Sequence, residues 1–265
     1  MGDNGKNKRQ KAKRLGEIRY DKQNCPMKII EYNNAVDIIV EFQDKFKGKV
    51  HTTYGNFINL EIKNPYYPTV CGIGVTGNKY PTKINRKHVA EYVAWHNIIS
   101  RSYNEKDKRK NPSYQNVACC EEWLNYENFY EWLHSQENFD KWLNGKGWAV
   151  DKDILVKGNK TYSPEYCCLV PQNVNSLFVK NDAVRSELPI GVIKSGTGFQ
   201  AHCNNPFTHK YENLGTYQTI IEAFLMYKKQ KEDIVKQVAQ IEFDKCNITK
   251  ECYDAMMNYE VEITD

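Results

Sequence analysis

The segment Val150–Asn175 constrains the fold more than any other part of this 265-residue chain. It reads V-D-K-D-I-L-V-K-G-N-K-T-Y-S-P-E-Y-C-C-L-V-P-Q-N-V-N. The apolar residues, the Gly-Asn turn and the Ser-Pro-Glu helix start predict a short strand, a loop and a short helix. A unit of this length can bring Asp151 and Asn175 together around one divalent cation.

The residues of this segment match most needs of a one-metal site that cleaves phosphodiesters. Asp151 and Asn175 supply oxygen ligands for one hard cation, Mg²⁺ or Mn²⁺. Such a site also needs a base that activates water and a cation that neutralises the charge developing on the phosphate. Lys152 stands beside Asp151, and a lysine with the ordinary pKa of about 10.4 cannot accept a proton at neutral pH.

The pattern of apolar and polar residues along the chain predicts an α+β protein of five segments. The stretches M-K-I-I-E-Y and D-I-I-V-E-F indicate strands, H-V-A-E-Y-V-A-W-H indicates a helix, and T-I-I-E is a capping box. The predicted segments are a basic flexible tail (1–15), a small β-barrel (16–84), a helical domain with the metal unit (85–182), a three-stranded sheet plus helix (183–243) and a C-terminal segment (244–265).

Charge and cysteine content narrow the expected partners and the expected cellular compartment of the protein. The formal net charge of +4 allows a nucleic-acid partner without requiring one. The nine cysteines contain no C-x-x-C pair, and the sequence shows neither an apolar signal segment nor a run long enough to cross a bilayer. We therefore expect reduced thiols, a cytoplasmic protein and no membrane partner. Composition predicts no oligomeric state.

The Val150–Asn175 segment resembles the ββα-metal motif of the HNH endonucleases of phages and mobile elements. That family reads D-H-x-D-G-N, then N-x-x-x-N-L-R-x-V, then a closing His or Asn. Asp151 falls on the family's Asp, Asn159 near its Gly-Asn turn, and Asn175 on the closing metal ligand. The resemblance implies a central ββα-metal (His-Me finger) domain that cuts or nicks double-stranded DNA, in the bacterial host cytoplasm for a phage-encoded protein.

Lys152 departs from the family, which places its general-base His there. In one interpretation hydrolysis is lost and the module only binds DNA. In the other, Lys152 neutralises the phosphate, as in members of the superfamily with V-D-R-x-D and Y-S-P, and another group activates water. His96 and Tyr114 are the candidate bases, and Arg101 is a candidate phosphate clamp.

The stretch from Leu188 to Tyr227 resembles the DNA-binding domain of plant ethylene-response factors, which also follows HNH modules in phage endonucleases. Gly191-Val192, Phe199, Ala201 and Leu214–Thr219 fall on its pattern. The resemblance implies a three-stranded sheet that enters the major groove. We expect the residues that read DNA to be on the face away from the helix, namely Lys194, Gln200, His202 and Lys210.

These features together predict a metal-dependent DNA endonuclease of HNH type. Two alternatives remain open: a catalytically inactive DNA-binding or regulatory protein of the same fold, and a protein-interaction module such as a phage inhibitor of a host system.

Overall fold

The computed structural model describes residues 11–179 and 188–265. By their contacts they divide into two units: the chain up to Tyr114 with Glu121–Tyr130, and Gln115–Cys120 with the described part of Glu131–Asp265. Helices and several small sheets occur together, in agreement with the predicted α+β class. Residues 1–10 of the predicted tail and the predicted boundary at 182–183 lie outside the described residues.

The first unit begins with an antiparallel sheet and continues into helices. Helix α2 confirms the helical texture predicted after residue 88, and it buries Trp95, Ile98 and Ile99. The elements are β1 (Ile18–Tyr20), β2 (Pro26–Asn34), β3 (Asp37–Phe42), β4 (Lys49–Thr52), α1 (Tyr54–Ile58), β5 (Lys83–Ile84), β6 (Lys87–His88), α2 (Ala90–Tyr103), α3 (Glu105–Lys110) and the start of α4 (Tyr126–Ser135).

The predicted small barrel is wrong, because the N-terminal sheet is open. Its four strands follow the order β1-β2-β3-β4, so β1 and β4 are edges that do not pair with each other. The stretch G-N-F-I-N-L-E-I-K at residues 55–63, whose apolar pattern is typical of a strand, begins in α1 instead. Thr53 caps α1, since its side-chain oxygen accepts a hydrogen bond from the Asn56 N–H at 3.1 Å. The sheet buries Met27, Ile38 and Phe57 with their neighbours in a core of its own.

A buried carboxylate holds a long loop of the first unit in place. Glu127 Oε1 accepts hydrogen bonds from the backbone N–H groups of Asn78 (2.9 Å) and Lys79 (2.7 Å). Its Oε2 accepts one from the Tyr66 hydroxyl at 3.0 Å. Burial, together with this carboxylate, raises the pKa of Tyr66 to about 12. Gly77 passes so close that a Cβ there would overlap the Glu127 side chain.

We expect Glu127→Ala to lower the free energy of unfolding by about 2–4 kcal/mol, because it leaves two backbone donors and one hydroxyl without their acceptor. Urea denaturation of the full chain measures this. The matched control is Glu121→Ala, at an exposed position of the same unit, which should change stability by less than about 0.5 kcal/mol. Equal effects of the two substitutions would contradict the anchoring role.

The second unit contains the predicted metal segment and the C-terminal sheet. Strand β8 pairs antiparallel with β10, and β7 pairs parallel with β9. Its elements are β7 (Ala118–Cys119), α5 (Phe139–Asn144), β8 (Trp148–Asp151), β9 (Thr161–Tyr162), β10 (Cys168–Pro171), α6 (Gln172–Ser176), β11 (Val192–Ser195), β12 (Gly198–Asn205), β13 (Lys210–Tyr217), α7 (Ile220–Asp244) and α8 (Lys250–Met257).

The C-terminal part of this unit confirms the predicted three antiparallel strands followed by a helix. The sheet has the order β11-β12-β13, and α7 packs on all three strands. The predicted capping box is present at the start of α7, where Thr219 and Glu222 exchange hydrogen bonds of 3.1 and 3.2 Å. Helix α8 and Val261 join the same hydrophobic core, so residues 244–265 are packed on this unit.

Candidate functional site

Strands β8 and β10 and helix α6 form a compact ββα arrangement in the second unit. Asp151 is the last residue of β8 and lies opposite Cys168, the first residue of β10. Helix α6 starts directly after β10, at Gln172, and packs against both strands. The loop between the strands contains β9 and returns the chain to β10. The predicted strand, loop and helix are present, but strand β10 stands before the helix, and Ser163-Pro164-Glu165 forms a turn instead of the predicted helix start.

Asp151 is a buried carboxylate, with 6% of its surface exposed. Its Oδ1 accepts hydrogen bonds from the backbone N–H groups of Asp153 (2.9 Å) and Ile154 (2.8 Å), which fixes the turn after β8. Among the described residues no donor contacts Oδ2, so this oxygen is available to a cation. Burial, followed by the nearby Asp153 carboxylate, raises the pKa of Asp151 to about 6.

Lys152 is held beside the acidic pair. Its Nζ lies 3.1 Å from Asp153 Oδ2 and 5.8 Å from the centre of the Tyr162 ring. Only 12% of the side chain is exposed, so its stem is packed and its charge is fixed in position. The turn carries a formal charge of −1, from Asp151, Asp153 and Lys152, and this net negative charge would attract a cation.

Asn159 closes the loop between β8 and β9. Its Nδ2 donates hydrogen bonds to the carbonyls of Lys152 (2.6 Å) and Thr161 (2.8 Å), while its Oδ1 accepts one from the Thr161 N–H (3.1 Å). The left-handed backbone of this turn belongs to Gly158, with φ +80°. Asn159 therefore acts through its amide group, which ties the residue after Asp151 to the start of β9.

The two asparagines of α6 have different surroundings. Asn173 donates to Oε1 of the buried Glu242 at 3.2 Å and is part of a polar network at the end of α7. Asn175 is half-buried, and its amide makes no hydrogen bond within residues 11–179 and 188–265. Of the two, Asn175 is the one whose side-chain oxygen is free to bind a cation.

Asp151 and Asn175 carry side-chain oxygens of the kind that a hard cation binds. Among the described residues no three His, Cys, Asp or Glu side chains are grouped for metal binding. Mg²⁺ keeps several waters and commonly takes only one or two carboxylates from the protein. The unpaired Oδ2 of Asp151 and the free amide of Asn175 match that pattern.

His96, Arg101 and Tyr114 lie in the first unit, whereas Asp151, Lys152 and Asn175 lie in the second. The Arg101 guanidinium is 5.6 Å from the centre of the Tyr114 ring, so these two predicted site residues contact each other. His96 is exposed on α2, with its ring 5.9 Å from that of Tyr92.

The prediction that four side chains point away from α7 is half right. Gln200 and His202 lie on the outer face and hydrogen-bond each other at 3.2 Å. Lys194 pairs with Phe199, which packs into the core under the helix, so Lys194 lies on the helix side. An irregularity between Ala201 and His202 reverses the alternation in β13, which places Lys210 on the helix side too.

The outer face of the sheet is rich in amides and aromatic rings. The rings of His202 and Tyr211 stack with centroids 4.8 Å apart. Asn204 pairs with Tyr211 and Asn213 pairs with His202, so both asparagines share this face with Gln200. Asn204 and Asn213 were missed as candidates, although Asn, like Gln, is a side chain that binds adenine edges bidentately.

Sequence reasoning also missed contacts from the C-terminal segment to the site loop. Lys157 Nζ lies 2.8 Å from Asp265 Oδ2 and donates to the Glu260 carbonyl at 2.8 Å. Burial, then the negative charge of Asp265, raises the pKa of Tyr259 to about 12, and Asp153 is among the carboxylates that contribute. No local pattern indicates these contacts, since about a hundred positions separate the partners.

No protein-family model, curated protein or solved structure matches this chain. Within residues 11–179 and 188–265, every helix is too short or too polar to cross a bilayer.

Proposed function

We propose that this chain is a metal-dependent endonuclease that cuts or nicks double-stranded DNA at a ββα-metal site of HNH type. The observation that carries the proposal is Asp151, a buried carboxylate at the end of β8 with Oδ2 free, inside a hairpin covered by α6. Burying a carboxylate without an ion-pair partner opposes stability, and such costs are concentrated at functional sites.

Each residue of the site has a proposed role. Asp151 and Asn175 would hold one Mg²⁺ or Mn²⁺ ion, which supplies Lewis acidity toward a phosphate when bound. Lys152, held by Asp153, would neutralise the phosphate. Water activation by His96 or Tyr114 and a phosphate clamp at Arg101 stay predictions from the sequence alone, since these residues belong to the other unit. The C-terminal sheet would bind the major groove of DNA through Gln200, His202, Asn204 and Asn213. Lys194 and Lys210, on the helix side, would contact only the phosphate backbone.

Nicking of supercoiled plasmid tests this function. We expect the wild-type chain to nick with Mg²⁺ or Mn²⁺ and Asp151→Ala to lose this activity by at least about a thousandfold. EDTA should abolish cleavage by the wild type. DNA binding without any cleavage over both metals would instead indicate the inactive DNA-binding protein. An absence of DNA binding at low salt would favour the protein-interaction module.

One observation favours the inactive alternative. Lys152 occupies the position of the base, and its ammonium is already engaged by Asp153.

For the active enzyme, we expect Lys152→Ala to lower cleavage by about 10²–10³-fold and to leave metal affinity nearly unchanged, because Lys152 would act on phosphate.

The partner substitution, Lys152→His, distinguishes the two interpretations of this position. An increase in cleavage with histidine would show that the native site has lost activity because lysine replaced the general-base histidine of the HNH family. A decrease would support a phosphate role for the lysine. Single-turnover cleavage rates and calorimetric Mn²⁺ affinities measure the two effects separately.

A further inference from the structure

An exposed hairpin of the first unit, formed by β5 and β6, carries concentrated positive charge. Lys83 lies opposite His88 and Ile84 opposite Lys87. All six residues from 83 to 88 are exposed, and 58% of the Ile84 surface is accessible. In the part of the chain that the structure describes, no carboxylate pairs with Lys83, Arg86 or Lys87. The hairpin therefore presents three uncompensated charges around an apolar side chain.

The hairpin is held in one conformation. Asn85 (φ 50°) and Arg86 (φ 66°) both adopt left-handed backbone, as a two-residue type I′ turn requires. Beyond the strands, the Val89 N–H donates to the Thr82 carbonyl at 3.3 Å. The His88 ring stacks on Tyr92 of α2 with centroids 4.6 Å apart. Binding through this hairpin would cost little ordering entropy.

Arg86 occupies a position that glycine would fill at lower cost. A left-handed conformation costs an L-residue roughly 1–2 kcal/mol, and Asn-Gly is a favoured sequence for this turn. The Arg86 side chain is exposed, so packing does not compensate for the strain. A strained, charged residue at the tip of an exposed turn indicates a contact outside the fold.

We propose that the hairpin Lys83–His88 is a second DNA-binding element, a basic ribbon that enters the major groove of duplex DNA. The groove is about 12 Å wide and admits a two-stranded ribbon. Ile84 and Lys87 share the face that would be turned toward the bases, where Ile84 would contact groups such as the thymine methyl, while Lys87 and, from the opposite face, Lys83 would reach phosphates along the groove. A-form RNA has a deep, narrow major groove and would be excluded. The inference shares its DNA partner with the proposed function and does not need the metal site.

A charge-matched pair of double variants tests the ribbon. Full-length Lys83→Gln/Lys87→Gln is compared with Lys22→Gln/Lys63→Gln, two equally exposed lysines of the same unit. Affinity for a DNA duplex is measured in EDTA at several salt concentrations. We expect the hairpin variant to bind at least about tenfold more weakly at low salt and to lose about 1.8 from the salt slope. Equal effects in both variants, or none in the hairpin variant, would overturn the proposal.

The variant Arg86→Gly separates binding from folding. Glycine keeps the turn and relieves its strain, so thermal stability should stay equal or rise while DNA affinity falls by about three- to tenfold. Unchanged affinity would count against the ribbon. Duplex RNA of the same sequence is the second probe, and an equal loss of RNA binding in the hairpin variants would overturn insertion into a B-form groove.

The outcomes distinguish this inference from the proposed function. A wild type that needs the hairpin to bind DNA but cuts nothing with Mg²⁺ or Mn²⁺ supports the ribbon and overturns the nuclease. A wild type that cuts DNA while the hairpin variants bind and cut equally well supports the nuclease and overturns the ribbon.

Discussion

Replacing Asp151 by asparagine is expected to abolish DNA cleavage and, at the same time, to stabilise the folded protein at pH 7. The amide Oδ1 of asparagine can still accept the hydrogen bonds from the Asp153 and Ile154 N–H groups. The buried negative charge, however, is removed. A gain in stability on replacing the proposed metal ligand is the opposite of what a structural aspartate would give.

The sign and size of this effect follow from the pKa of Asp151. Burial raises it to about 6, above the ordinary value of 3.8 that applies to the unfolded chain. Near pH 4–6 the folded state binds more protons, so wild-type stability falls as pH rises through this window. At pH 7 the cost of the buried charge is on the order of 2 kcal/mol. The advantage of Asp151→Asn should therefore disappear at pH 4.

Urea denaturation at pH 7 and pH 4 checks this prediction. Asp233→Asn, which replaces an exposed carboxylate on α7, is the control and should leave stability and cleavage unchanged. Mg²⁺ at about 100 times its dissociation constant should stabilise the wild type by about 2.7 kcal/mol and leave Asp151→Asn unaffected. A variant less stable than the wild type at pH 7 would contradict the prediction.

The second large effect is expected from Asn159→Asp. The asparagine Nδ2 donates to two carbonyls, and an aspartate oxygen in its place would face both of them without a proton. We expect a loss of on the order of 3 kcal/mol in the free energy of unfolding. Cleavage should fall by more than tenfold even at temperatures where the variant is folded, because the backbone of Lys152 loses its anchor.

Asn97→Asp is the matched control for this substitution. Asn97 is exposed on α2 and makes no side-chain hydrogen bond among the described residues, so its change should be within about 0.5 kcal/mol. Raising the salt concentration should not rescue Asn159→Asp, since the damage is local and partly buried. Wild-type cleavage in folded Asn159→Asp would show that the loop does not position the site.

Features that depend on neighbouring residues were predictable. The capping box of Thr219 and Glu222 is set by local spacing, as are the strand that ends at Asp151 and the short helix that carries Asn175, and the structure has all of them. Closure of the N-terminal sheet was not predictable in the same way. A closed barrel would have needed a further strand after β4, but Thr53 caps a helix at that point in the chain instead.

The side of a sheet on which a residue lies depends on register. Lys210 and Thr216 are an even number of residues apart and would share a face in a regular strand. The irregularity at Ala201/His202 inserts one residue into β13 between them, and the alternation reverses. A single sequence without the pairing partner gives no sign of this extra residue.

The sequence by itself determined the local unit around Asp151, with its turn, its loop and the helix that carries Asn175. Hydrogen bonds between residues a few positions apart, such as those from Asp153 and Ile154 to Asp151, need only the right spacing. Only the tertiary structure decided that Asp151 is buried with a raised pKa, that Lys194 and Lys210 leave the outer face, and that Lys157 meets Asp265. Burial, register and such ion pairs depend on partners distant in the chain, and their geometry exists only once the chain has folded.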